Sequence, residues 1–108
     1  MLLENGADVN NSDDRGVTSL SLACYNGDVE VARLLLEKGA NVNKAHKDGA
    51  PSLVLACGRG HIEVARLLLE KGAAVNQASN HGRTPLYCAC GVGQGEIVRL
   101  LLDNGADV

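Results

Sequence analysis

The chain has 108 residues, with 10 basic and 13 acidic side chains, and a formal net charge of −3. This length fits one small domain, and the acidic balance argues against a nucleic-acid binder, which usually carries a basic patch. Apolar residues make up 45% of the chain but include no Trp, no Phe and only two Tyr. A core of Leu, Val and Ala suits thin helical layers better than one large globule.

Apolar runs are short throughout the sequence, as at residues 34–36. A helix that crosses a bilayer needs about 20 apolar residues, so we expect no membrane association. The opening residues Met1-Leu2-Leu3-Glu4 reach a charge too early for a signal peptide. The sequence therefore predicts an intracellular protein, located in the cytoplasm.

The sequence contains a unit that recurs with a period of 33 residues. Residues 30–40 and 63–73 share the sequence EVARLLLEKGA, and the same spacing relates several other residues. These are Gly16, Gly49 and Gly82; Leu20, Leu53 and Leu86; Ala23, Ala56 and Ala89; Cys24, Cys57 and Cys90; and Gly6, Gly39, Gly72 and Gly105. A repeat of this length predicts stacked layers, each of which buries the apolar face of its neighbour.

The first part of each unit predicts a short helix with a face of small residues. In the first unit this face has the spacing i, i+3, i+4 and i+7, and its members are Leu20, Ala23, Cys24 and Gly27. Because these side chains are small, a neighbouring helix can approach closely.

A second helix is predicted from about Val29 to Lys38. Its inner face consists of Val31, Leu34 and Leu35, and its outer face of Glu30, Arg33 and Glu37. Gly39 follows as the helix stop, where a residue with positive φ is needed. In the third unit Gly95 replaces the equivalent of Val29, so we expect this helix to lose an apolar contact.

Tight turns are predicted between the units, because Asp-Gly and similar pairs favour them. The three turns are Asp14-Arg15-Gly16, Lys47-Asp48-Gly49 and Asn80-His81-Gly82.

The unit resembles the ankyrin repeat, which has the same period and a Thr-Pro-Leu-His-x-Ala signature. Residues 84–89 read TPLYCA, with Tyr87 in the place of His, and residues 18–23 read TSLSLA. The Thr of this signature caps the first helix, and Pro at the next position suits its first turn. Pro51 occupies the Thr place in the middle unit, so we expect a weaker cap there, with Ser52 as the alternative capping residue.

The resemblance implies an all-α ankyrin-repeat solenoid, built of stacked helix-turn-helix layers with β-hairpin-type loops. It covers one domain, residues 1–108, with a partial repeat at 1–12 and repeats at 13–45, 46–78 and 79–108. Neither terminal layer has the polar outer face that ends a stack. This predicts either a piece of a longer array or end-to-end self-association of two copies.

Cysteine and histidine residues suggest no catalytic or metal chemistry. Equivalent helices in a stack lie about 8–10 Å apart, whereas a disulfide needs Cα atoms within roughly 7 Å. We therefore expect Cys24, Cys57 and Cys90 to be small buried residues in reducing surroundings. Cys88 and Cys90 face different sides of a helix, and with His81 they match a zinc site poorly. The sequence predicts no enzyme, no cofactor and no metal, and His61 is expected to make a local hydrogen bond.

The resemblance implies protein binding through the turn tips and the exposed side of the first helices. Residues that differ between otherwise similar units indicate where a partner protein would bind. These partner-binding candidates are Asp14, Arg15, Val17, Tyr25, Asn26, Lys47, Asp48, Arg59, Asn80, His81, Arg83 and Val92. Tyr and Arg dominate many interfaces, so Tyr25, Arg59 and Arg83 are the principal candidates.

Two other functions fit the same sequence. Ankyrin repeats resembling this one are substrates of an asparaginyl hydroxylase, which implies Asn43 and Asn76 as modification sites. An engineered or excised scaffold without a native partner would also have nearly identical repeats.

Overall fold

The computed structural model describes residues 8–45 and 49–108. Over these residues the chain forms six α-helices and no strand, which confirms the predicted all-α repeat fold. The helices are α1 (Ser19–Asn26), α2 (Val29–Glu37), α3 (Ser52–Gly58), α4 (Ile62–Glu70), α5 (Pro85–Val92) and α6 (Gly95–Asp103). Lys47 and Asp48, two of the predicted binding residues, lie outside the described residues.

The helices form three pairs of consecutive helices, α1 with α2, α3 with α4 and α5 with α6, and the pairs stack in chain order. Helix α3 packs between α1 and α5, while α4 packs between α2 and α6. The molecule is accordingly elongated, with dimensions of 43 × 25 × 20 Å. The core consists of small and branched aliphatic side chains shared between neighbouring layers, such as Cys24, Leu35, Leu53, Leu68 and Leu101.

Side-chain caps begin two of the three first helices, as the signature predicts. The Thr18 hydroxyl accepts a hydrogen bond from the Ser21 amide at 3.1 Å, and the Thr84 hydroxyl accepts one from the Tyr87 amide at 3.1 Å. Such a cap contributes about 0.5–2 kcal/mol, because it satisfies an otherwise unpaired N–H group.

The middle first helix has no side-chain cap, so the alternative cap by Ser52 was wrong. Ser52 is the first helical residue rather than the residue before the helix, and its side chain is buried. Its hydroxyl lies beside the Cys24 thiol, yet it makes no hydrogen bond of good geometry within the described part of the chain.

The predicted inner face of α2 was wrong at Leu34. Ala32 and Leu35 are buried, whereas 57% of Leu34 is exposed. The equivalent Leu67 in α4 is only 3% exposed, since α4 packs on α2. No helix of the described residues covers the corresponding side of α2, and this leaves Leu34 in solvent.

Candidate protein-binding surface

Tyr25 and Arg59 form a stacked pair that joins the first two helix layers. Tyr25 lies near the end of α1 and is 43% exposed, and Arg59 is the exposed residue directly after α3. The guanidinium carbon of Arg59 lies 4.3 Å from the centre of the Tyr25 ring, and its Nη1 donates a hydrogen bond to Tyr25 Oη at 3.3 Å. This cation–π contact orients both side chains while they remain open to solvent.

His61 fixes the end of α1 from the following layer. Its Nε2 donates a hydrogen bond to the Tyr25 carbonyl oxygen at 3.0 Å. A Cβ atom on Gly27 would lie only 2.6 Å from His61 Nδ1, so the ring needs a glycine here. The sequence predicted a local hydrogen bond for His61, but the bond instead crosses to the preceding layer and holds the backbone that carries Tyr25.

The first turn tip is organised by Asp13, which the sequence analysis missed. Its Oδ1 accepts hydrogen bonds from the amides of Arg15 at 2.9 Å and Val17 at 3.0 Å. The amide of Val17, more than any other group, lowers the pKa of the Asp13 carboxyl below its ordinary value, and the groups of Arg15 act in the same direction. Of the predicted tip residues, Asp14 and Arg15 are exposed and Val17 is half-buried.

Ser79 organises the third tip in the place that Asp13 has in the first. Its hydroxyl accepts hydrogen bonds from the amides of His81 and Arg83, both at 3.3 Å. Asn80, His81 and Arg83 are exposed around this turn. The other exposed candidates are Asn26, at the end of α1, and Val92, at the end of α5.

An open groove of about 920 Å³ runs along the outer side of α5. Its lining includes Arg83, Leu86, Tyr87, Cys90 and Val92. Cys90 is exposed, so its predicted burial was wrong, whereas the equivalent Cys24 and Cys57 are completely buried. The described residues place no further helix on the outer side of α5, and the cysteine therefore remains accessible.

Burial controls the acidity of the inner thiols. Removal from water raises the pKa of Cys24 to about 12, and the neighbouring Ser52 hydroxyl only partly opposes this rise. Burial also raises the pKa of Cys57 to about 12, and the adjacent Cys88 adds to the effect. Thiols that remain protonated at neutral pH are poor nucleophiles, which is consistent with a packing role.

Asn43 and Asn76, the predicted hydroxylation sites, connect neighbouring loops. Asn43 Oδ1 accepts from the Ala74 amide at 2.8 Å, and its Nδ2 donates to the Gly72 carbonyl at 3.4 Å. Asn76 Oδ1 accepts from the Asp107 amide at 2.9 Å. Hydroxylation of either residue stays a prediction.

The described residues contain no group of three or more His, Cys, Asp or Glu side chains that could hold a metal ion. Among the same residues, every helix is too short or too polar to cross a membrane.

The comparison with family models decides the identity of this repeat. A model described as "Ankyrin repeats (3 copies)" matches residues 42–108, and one described as "Ankyrin repeats (many copies)" matches residues 2–49. The chain belongs to the ankyrin-repeat family. A search of curated proteins gives no significant match to the chain. Ankyrin repeats generally act as protein–protein interaction modules, and the Tyr25–Arg59 pair joins two adjacent ankyrin layers.

Proposed function

We propose that this ankyrin-repeat chain is a non-catalytic module that binds another protein through its turn tips and the exposed flank of its first helices. The Tyr25–Arg59 pair carries this proposal. Both side chains are exposed in the free chain. Aromatic and guanidinium side chains of this kind contribute much of the binding energy of an interface when a partner covers them. Their stacking restricts them before binding, so a partner would lose less conformational entropy in ordering them.

Charge favours a partner with an acidic or polar strip. Arg59 and Arg83 are both exposed and form no ion pair with another described residue, while Arg15 is paired with Asp13 at 3.4 Å. An acidic segment that runs from the Tyr25–Arg59 pair towards the third tip would meet the two unpaired guanidinium groups. Such long-range complementarity increases association rates and selectivity. We place this interaction in the cytoplasm.

A double substitution, Tyr25→Ala with Arg59→Ala, tests the proposal. We expect it to remove captured partner proteins from an affinity pull-down and to leave the helical circular dichroism spectrum unchanged, because both side chains lie on the surface. Arg33→Ala is the matched control, since Arg33 is exposed on α2, away from the pair.

The outcome separates this function from the alternatives. Identical captured proteins for the wild type and the double variant would contradict the proposed surface. If the chain is a scaffold without a native partner, neither the wild type nor the Arg33→Ala control should capture any protein specifically. Hydroxylation would instead appear as the mass of one added oxygen on Asn43 or Asn76.

A further inference from the structure

The first and third turn tips have the same backbone hydrogen bonds. In each tip the amide of the first residue, Asp13 or Ser79, donates to the carbonyl oxygen four residues later, at 3.1 and 3.0 Å. The amide three residues later, of Gly16 or Gly82, donates back to the carbonyl oxygen of that first residue, at 2.9 Å in both tips. Asp13 and Ser79 therefore occupy the same place in two turns of the same shape.

The side chains in this place differ in charge. The Asp13 carboxylate accepts from the amides two and four residues later at 2.9 and 3.0 Å, and the Ser79 hydroxyl accepts from the equivalent amides at 3.3 Å. An ionised acceptor makes the shorter and stronger bonds. These amides favour an anion, since the amide of Val17 holds the pKa of the Asp13 carboxyl below its ordinary value. The third tip directs two amides of the same kind at a neutral oxygen.

Basic side chains surround this oxygen. In the first tip Arg15 pairs with Asp13 at 3.4 Å. The third tip has His81 in the place of Arg15, and Arg83 four residues after Ser79, and both are exposed. Neither forms an ion pair with another described residue, and residues 79–83 contain no carboxylate. The third tip thus has the amides and the cations of an anion site, but its own side chain supplies no anion.

We propose that Ser79 is a phosphorylation site, and that the third tip holds the phosphoryl group where the first tip holds the Asp13 carboxylate. Ser79 Oγ attacks the terminal phosphorus of ATP, the bond from this phosphorus to the bridging oxygen breaks, and ADP leaves. The hydroxyl proton passes to the base of a protein kinase. Ser79 is half-buried in the loop between α4 and α5, so no helix has to unwind to present it.

The bound phosphate has a charge of about −1.5 to −2 and three acceptor oxygens. It accepts hydrogen bonds from the two tip amides and from the side chains of His81 and Arg83. Such charge-assisted bonds are stronger than those of the neutral hydroxyl, so phosphorylation stabilises the tip.

Ser12 provides a matched control near the first tip. It is exposed, but it directly precedes Asp13 and Asp14, whose carboxylates repel a phosphate. Ser21 and Ser52 lie within helices and are only 1% exposed. The combination of two tip amides with nearby cations therefore distinguishes Ser79 from these three serines.

Phosphorylation of Ser79 would regulate partner binding, a consequence that rests on the proposed function. Arg83 is one of the cations that an acidic partner would meet. A phosphate paired with Arg83 would replace local positive charge by negative charge, so the phosphorylated chain should capture less of such a partner.

Replacement of Ser79 by phosphoserine during translation, in the otherwise unchanged full chain, tests how the tip holds the group. We expect phosphorus NMR to give a phosphate pKa clearly below its ordinary value of about 6, and the urea midpoint to rise. Phosphoserine in place of Ser12 should show a higher phosphate pKa and no rise in the midpoint. Arg83→Gln in the chain phosphorylated at Ser79 should recover part of the pKa difference, because the amides remain.

Incubation of the wild-type chain with Mg-ATP and a soluble cell extract, a source of kinases, tests the transfer itself. Peptide mass spectrometry should locate one added phosphoryl group on Ser79, and Ser79→Ala should lack it. The proposal is overturned by an unmodified Ser79, by equal phosphate pKa values at the two serines, or by a urea midpoint that phosphorylation of Ser79 does not raise. None of these measurements needs a partner protein, so they stand even if the proposed binding surface fails.

Discussion

Three equivalent cysteines show how position in the stack determines the chemistry of a single residue. Cys24, Cys57 and Cys90 occupy the same place in their helices, but only the first two are covered by a following layer. The covered thiols have a pKa near 12 because water is excluded from them. Cys90 differs from them only in its neighbours, so residue type alone does not determine its reactivity.

We predict that iodoacetamide modifies Cys90 well before Cys24 and Cys57 in the native protein. Modification of the two buried thiols should require unfolding, since the thiolate that reacts is not formed inside the core. Mass spectrometry of peptides after timed labelling provides the measurement. Equal labelling rates for Cys57 and Cys90 under native conditions would contradict the burial of the former.

The same thiols predict a loss of stability in alkaline solution. Their folded-state pKa is raised from about 9 to about 12, so the folded state holds these protons more tightly than the unfolded state. The contribution is complete below pH 9 and is lost as pH rises towards 12. We expect the urea midpoint to fall across this range and to fall less for Cys24→Ala/Cys57→Ala. An identical alkaline decline in that variant would contradict the assignment to the thiols.

At the scale of the helix, local signals at the ends fix where each element starts and stops. Thr18 and Thr84 cap their helices, and glycines with positive φ end them, as at Gly27 and Gly93 with φ of 76° and 71°. Among α2, α4 and α6, the second helices of the three layers, we expect the first turn of α6 to be the least stable. Gly95 contributes no side chain there, and Gln94 makes no side-chain cap.

A pair of glycine substitutions separates backbone conformation from available space. Gly95→Ala should stabilise the protein by about 0.4–1 kcal/mol, because the residue is helical and an added methyl group meets nothing within 4 Å. Gly93→Ala also has open space, but its φ of +71° should make it destabilising by about 1–2 kcal/mol. Urea denaturation measures both, and a stabilising Gly93→Ala would refute the conformational explanation.

At the scale of the whole molecule, stability depends on contacts between adjacent layers. Helix α3 contacts both α1 and α5, so the middle layer has a neighbour on each side. The outer layers each leave one apolar face in solvent, as the exposure of Leu34 and Tyr87 shows. In such a stack, stability is approximately a sum of layer and interface contributions.

Hydrogen exchange should therefore be uneven along the stack. We predict the slowest amide exchange in α3 and α4, and faster exchange in α1, α2, α5 and α6 through local opening of the outer layers. Uniform protection of all six helices would indicate one cooperative unit and would contradict a layered mechanism.

The amino-acid sequence by itself determined the period, the helix pairs, the caps at Thr18 and Thr84, and the family. These features depend on contacts within a few residues or on spacing, both of which can be read along the chain. Tertiary structure alone decided which equivalent residues are buried, as with Leu34 against Leu67 and Cys90 against Cys57. It also decided that Arg59 stacks on Tyr25 and that Asn43 bonds to the next loop. Burial and pairing between layers depend on which neighbour is present, and identical repeat sequences carry no information about that neighbour.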